Sequence, residues 1–131
     1  MSIIEVQSVS YSYPDSSARA LNELSLSVQD GDFVGIVGPS GAGKSTLALA
    51  LSGAIPHHFR GSFFGKILVA GMDTCTVALT DISKIVGSVT QDINAQMVAS
   101  IVEDELLFGL ENFAVPHAEI PERIAYALET V

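Results

Sequence analysis

Apolar or aromatic side chains stand at Ile4 and Val6 and, after one break in the alternation, at Val9, Tyr11 and Tyr13, with polar residues between them. That period of two predicts a strand with a single irregularity. Pro14-Asp15-Ser16-Ser17 predicts a turn, and Leu24, Leu26 and Val28 alternate with Ser25, Ser27 and Gln29 before Asp30-Gly31 closes the run. The two strands together predict an antiparallel β-ribbon. Phe33-Val34-Gly35-Ile36-Val37 is nearly continuous in its apolar character, the pattern of a strand buried on both faces of a parallel sheet. A glycine-rich hexapeptide follows at once, and then Leu47, Leu51 and Ala54 recur at helical spacing, with Gly53 and Pro56 as stop signals. The order is strand, glycine loop, helix.

Past a loop containing His57, His58 and Gly61, Ile67 and Val69 predict a strand that ends at Ala70-Gly71. A short helix is expected over residues 77–83 and a strand over 85–89. Ser100 and Glu103 have capping-box spacing, predicting a helix over residues 101–108 that Gly109 stops. A last helix is expected from Pro121, with Ile124, Leu128 and Val131 on one stripe. It runs to the final residue without the loop or tail that often marks a boundary, and no repeat or low-complexity tract appears.

The chain has 131 residues, 48% hydrophobic and 16% charged, which is globular in type and more apolar than a lone soluble domain usually needs. Some of that apolar surface is expected to lie against further chain or partner proteins. Fifteen acidic against six basic residues give a net charge of −9, which disfavours nucleic acid and anionic membrane surfaces as partners. A local anion site survives that charge, because backbone N–H groups at a helix start hold phosphate on their own. The single Cys75 allows no internal disulfide and fits a reducing, cytosolic setting. No apolar stretch reaches the ~18 residues that span a bilayer, so any membrane link is expected through partners.

Gly38-Pro39-Ser40-Gly41-Ala42-Gly43-Lys44-Ser45 fits G-x-x-x-x-G-K-[ST] in full. The glycines let the backbone wrap an anion, Lys44 reaches β- and γ-phosphates, and the Ser45 hydroxyl can ligate Mg²⁺. Its setting, after a buried-type strand and at the start of a helix, is the one such a P-loop requires. The motif alone does not separate transport ATPases from GTPases, nucleotide kinases or helicases. His57-His58 lacks a third ligand and chelating spacing, and is read as loop histidines. The acidic run 103–105 is read as a solvated helix start favoured by the helix dipole.

The string from Val37 to Leu47, preceded by Ala20-Leu21-Asn22-Glu23-Leu24-Ser25-Leu26-Ser27-Val28-Gln29-Asp30-Gly31-Asp32, closely resembles the start of ABC nucleotide-binding domains. The resemblance implies an α/β fold: a partial RecA-like, P-loop NTPase parallel sheet, with the β-ribbon in front and the first helices of a helical subdomain behind. It implies divisions at residues 1–32 (ribbon), 33–91 (P-loop core) and 92–131 (Q-loop and helical subdomain). It puts Tyr13 where the family carries the aromatic that stacks on adenine, and Gln91 where its Q-loop glutamine contacts Mg²⁺ and the attacking water. Nucleotide contacts are thereby expected at Tyr13, Gly38, Pro39, Ser40, Gly41, Ala42, Gly43, Lys44, Ser45, Thr46 and Gln91, and metal contacts at Ser45 and Gln91. The resemblance implies ATP and Mg²⁺ as cofactors.

Ile55-Pro56-His57-His58 and the run from Gln91-Asp92-Ile93-Asn94-Ala95-Gln96-Met97-Val98 into Val102-Glu103-Asp104-Glu105-Leu106-Leu107-Phe108-Gly109-Leu110-Glu111-Asn112 most resemble ATPases of energy-coupling factor transporters for vitamins and metal ions. In them the segment around Gln96 is an added short helix at the coupling surface. Implied partners are a second ATP-binding subunit, as homo- or heterodimer, and a transmembrane coupling subunit met through residues 91–109, at the cytoplasmic face of the membrane. The family's L-S-G-G-Q signature, catalytic Asp-Glu pair and switch histidine do not occur, so the resemblance covers the front half of the domain. The isolated chain is expected to bind nucleotide weakly and to hydrolyse it very slowly or not at all. Two alternatives stand beside this reading: a non-catalytic module that docks a membrane subunit, and a small P-loop kinase or GTPase. The latter is disfavoured by the lack of N-K-x-D and of lid arginines.

Overall fold

A computed structural model describes residues 2–131, which form two compact units, one ending at Gly87 and one spanning Ser88–Val131. In the first unit, strands β1 (Ser2–Ser12) and β2 (Leu21–Gln29) make the expected ribbon. Strand β3 (Ser62–Val69) pairs with the other edge of β1, and the short β4 (Met72–Asp73) pairs with β3. The result is a four-stranded antiparallel sheet of order β2-β1-β3-β4.

The break in the β1 alternation is a bulge. Ser8 adopts φ 48°, and around it the pairing slips on both sides, between Val6 and Val9 against β2 and between Gln7 and Ser10 against β3. A residue inserted there restores Val9 and Tyr11 to the face that Val6 occupies. Hydroxyls replace the interrupted ladder: the Ser8 amide donates to Ser25 Oγ at 2.9 Å, and the Glu23 amide to Ser10 Oγ at 2.9 Å. On β3, Gly65 lies against this bulge with φ 91°, where a Cβ would overlap the carbonyl oxygens of Gln7 and Ser8.

Helix α1 (Lys44–Leu51) lays Leu47 and Ala50 on the sheet, and Val6, Val9, Tyr11, Leu21, Ile55, Ile67 and Val69 complete the core. A single turn, α2 (Ala54–His57), buries Ile55, and α3 (Leu79–Ile82) buries Ile82 within the expected 77–83 segment.

The strand expected in a parallel sheet over residues 33–37 and the strand expected over 85–89 do not form. Residues 33–37 and 85–89 have no strand partner among the described residues, and Phe33 is 101%, Val37 94% and Val89 80% exposed. A β-strand exists only by pairing its N–H and C=O groups with a neighbour, and an apolar run states a demand for burial without supplying that neighbour.

The second unit holds α4 (Ile93–Gln96), α5 (Val102–Asn112) and α6 (Ile120–Thr130). The short helix expected around Gln96 is present, but the Ser100–Glu103 capping box is not. Ile101 occupies the N-cap without a side-chain bond, and Glu105 Oε2 instead accepts from the amides of Val98 and Ala99 at 2.9 and 2.6 Å. Nor does Gly109 stop α5: a helical glycine costs about 1 kcal/mol without breaking the ladder. The helix ends where Ala114 turns left-handed at φ 53°. On α6 the buried residues are Ile120 and Ile124, whereas Leu128 and Val131, expected on the same stripe, are exposed.

Candidate functional site: a phosphate loop beside an aromatic strand end

The loop over residues 38–43 is fixed by its own backbone. The Ala42 amide donates to the Pro39 carbonyl at 3.2 Å, and Gly41 and Gly43 take φ 82° and 94°, left-handed values that side chains disfavour. Gly43 also packs against the entry of β2: a Cβ there would overlap the Ala20 carbonyl oxygen and meet Leu21 Cδ2 at 3.3 Å. The loop is therefore seated on the ribbon as well as tied to the helix it opens.

Gly43 is the N-cap of α1, with no side-chain cap and no acidic residue in the first turn. The first helical bond runs from the Leu47 amide to the Gly43 carbonyl at 2.9 Å. Among the described residues, the amides of Lys44, Ser45 and Thr46 thus have no backbone or side-chain acceptor. Three unpaired N–H groups at a positive helix end fit an anion. Lys44 Nζ donates to the carbonyls of Gly38 at 2.8 Å and Pro39 at 2.7 Å, which holds the cation at the rim of the same loop. Ser45 is exposed, and its hydroxyl has no hydrogen-bond partner among the described residues.

Charge along the sequence is uneven in a way that the net value of −9 conceals. Between Asp32 and Asp73 there is no acidic residue at all, while Lys44, Arg60 and Lys66 are half of the six basic ones. Local potential at the loop is thus set by amides and cations without a nearby carboxylate in sequence. A count of charges by segment would have found this from the sequence.

Tyr13 follows directly on the end of β1 and is half-buried, its ring edge-on to Tyr11 at a centroid separation of 4.9 Å and an angle of 80°. Its hydroxyl lies 3.1 Å from Oγ1 of Thr46. Tyr13, the loop, Lys44, Ser45 and Thr46 are therefore parts of one unit, with Tyr13 in direct contact with α1. Ala20 and Leu21 belong to the same construction and were not singled out from the sequence.

Gln91 belongs to the second unit, exposed in the loop that leads to α4. Gln96 closes that loop. Its Oε1 accepts from the Thr90 amide at 2.9 Å and the Thr90 hydroxyl at 3.2 Å, and its Nε2 donates to the Ser88 carbonyl at 2.8 Å. Asp92 caps α4 by accepting from the Ala95 amide at 3.2 Å. Burial, and then the Asp73 carboxylate, push the Cys75 thiol up, away from the reactive thiolate. No group of three or more metal-ligating side chains occurs among the described residues.

A family model described as ABC transporter matches residues 21–131. A putative ABC transporter ATP-binding protein of Pyrococcus abyssi is 43% identical over 131 residues, covering 100% of this chain and 47% of the relative. An energy-coupling factor transporter ATP-binding protein of Methanosarcina acetivorans is 41% identical over 130 residues, covering 98% of this chain and 45% of the relative. Among solved structures, cbiO1 from Clostridium perfringens, described as part of the ABC transporter complex cbiONQ, superposes with a TM-score of 0.80 at 28% identity. That match covers 98% of this chain and 49% of cbiO1. The chain spans about half the length of the relatives it matches.

Proposed function

The chain belongs to the ABC transporter family, and from that premise we propose that it is the nucleotide-gripping portion of an ATPase that powers membrane transport, of the energy-coupling factor type. The observation that carries this reading is the loop at residues 38–45: three amides without acceptors, a lysine at the rim and an exposed serine, all on the N-terminus of α1. The fit is chemical: each free donor matches a phosphate oxygen, and the stretch without acidic residues leaves no carboxylate in sequence to repel it.

In this reading the amides of residues 44–46 bind the phosphates, and Lys44 exchanges its loop carbonyls for phosphate oxygens. Ser45 would hold Mg²⁺, which when bound neutralises developing charge on the transferred phosphoryl group, while Gln91, in the second unit, takes its Mg²⁺ role from the family resemblance alone. Tyr13 supplies an aromatic face for the base. The exposed apolar side chains around the Gln91 loop and α5, namely Ile93, Met97, Val98, Ile101 and Val102, form the surface for a transmembrane coupling subunit. A second ATP-binding subunit completes the assembly, which sits at the cytoplasmic face of the membrane. No helix among the described residues is long and apolar enough to cross a membrane, which accords with attachment through partners.

Isothermal titration with MgATP and MgGTP tests the central claim. The expected result is MgATP binding in the micromolar to millimolar range, weakened at least about tenfold in Lys44→Ala. Equal binding by Lys44→Ala, or no binding by a demonstrably folded chain, would overturn it and leave a docking module that does not use nucleotide.

A further inference from the structure

Thr46 is the point where two parts of the site meet. It is the third residue of α1 and only 6% exposed. Its amide belongs to the unpaired set at the start of α1, while its hydroxyl is 3.1 Å from the Tyr13 hydroxyl. Either oxygen can be the donor. On the other side, the Tyr13 ring rests edge-on against Tyr11, itself anchored by a bond from its hydroxyl to the Arg60 carbonyl at 3.0 Å. The ring of Tyr13 is thus held by a T-shaped contact with Tyr11 and by a hydrogen bond at its tip. A ring held this way has already lost the rotamer freedom that a ligand would otherwise have to remove.

We propose that the Tyr13–Thr46 hydrogen bond is a positioning device that sets the distance between the base platform and the phosphate loop, so that it favours a complete nucleoside triphosphate over bare polyphosphate. The inference rests on the phosphate-loop reading above and adds a function for the Tyr13 hydroxyl, which stacking alone does not need. The phenol acts as a strut: its tip is fixed to the residue whose amide faces the phosphates, and its ring presents the face on which a base lies. Removing the hydroxyl leaves an aromatic ring able to stack, but no longer registered to α1.

The test is titration of wild type, Tyr13→Phe, Thr46→Val and the double variant with MgATP and, separately, with magnesium tripolyphosphate, each variant checked for folding by circular dichroism. Tyr13→Phe is expected to weaken MgATP binding about 3- to 10-fold and to leave tripolyphosphate binding unchanged. Thr46→Val is expected to weaken MgATP similarly, with the double variant no worse than the single ones, because one bond is removed in all three. Thr46→Ser, which keeps the hydroxyl, should bind MgATP like wild type. Unchanged MgATP affinity in Tyr13→Phe, equal losses for the two ligands, or additive losses in the double variant would overturn the proposal while leaving the phosphate loop in place. If wild type binds neither ligand, or Lys44→Ala weakens neither, the phosphate-loop reading fails and the strut fails with it.

Discussion

Tyr11 is 0% exposed, and its hydroxyl is hydrogen-bonded inside the first unit. Burial first, and the neighbouring Tyr13 phenol second, push the Tyr11 phenol above its ordinary value of 10.0. A phenol whose folded value is raised contributes stability that is fully present below the unfolded value, near pH 10, and is lost as pH rises through the folded value. Tyr11→Phe is therefore expected to cost about 1 kcal/mol at neutral pH for the lost bond to the Arg60 carbonyl. It should also flatten the fall in urea midpoint as pH rises above the ordinary phenol value of 10.0. A midpoint that falls as steeply in the variant would remove Tyr11 as the titrating group. A glycine loop opening a helix at Lys44 was legible, because G-x-x-x-x-G-K-[ST] states local backbone requirements that Gly41 and Gly43 meet with positive φ. The Tyr13–Thr46 contact was not, since it joins residues 33 apart that only the packing of α1 on the sheet brings together.

Elements whose partner lies within the chain were readable from their period. The β1 irregularity, the ribbon and α1 fall where alternation and stop signals put them. Residues 33–37 and 85–89 show the limit, for their apolar runs specify burial and leave the partner strand unspecified. Helix ends were read less well for a related reason. Glu105, two residues beyond the expected capping residue Glu103, accepts instead from the Val98 and Ala99 amides of the preceding loop, a choice made by the path of residues 97–101 rather than by spacing. The loop between residues 88 and 96 depends on one side chain in a similar way. Gln96→Ala removes three hydrogen bonds at once and should accelerate exchange of the Thr90 amide about tenfold or more, while leaving α6 amides unaffected, as measured by hydrogen exchange. Unaltered Thr90 exchange would mean that the loop is held by other contacts.

At the scale of the whole chain, a mean hydropathy of +0.42 coexists with a net charge of −9. The apolar excess is visible in the exposure of Phe33, Val37, Val89, Val98 and Val102. Surfaces of this kind bind hydrophobic dyes and associate. The chain is expected to enhance 8-anilinonaphthalene-1-sulfonate fluorescence and to self-associate with rising concentration in analytical ultracentrifugation. The double variant Phe33→Ser, Val37→Ser should reduce both effects. A strictly monomeric, dye-silent wild type would show that these side chains are covered in solution. The bulge at Ser8 has a further consequence, one of parity. Successive strand residues face opposite sides, so the number of residues between Val6 and Tyr13 decides whether the aromatic at the strand end looks toward α1 or away from it. An odd change in length there turns Tyr11 and Tyr13 outward with no change in their identity, whereas an even change keeps their facing. In related sequences, this segment should vary in length by twos or not at all.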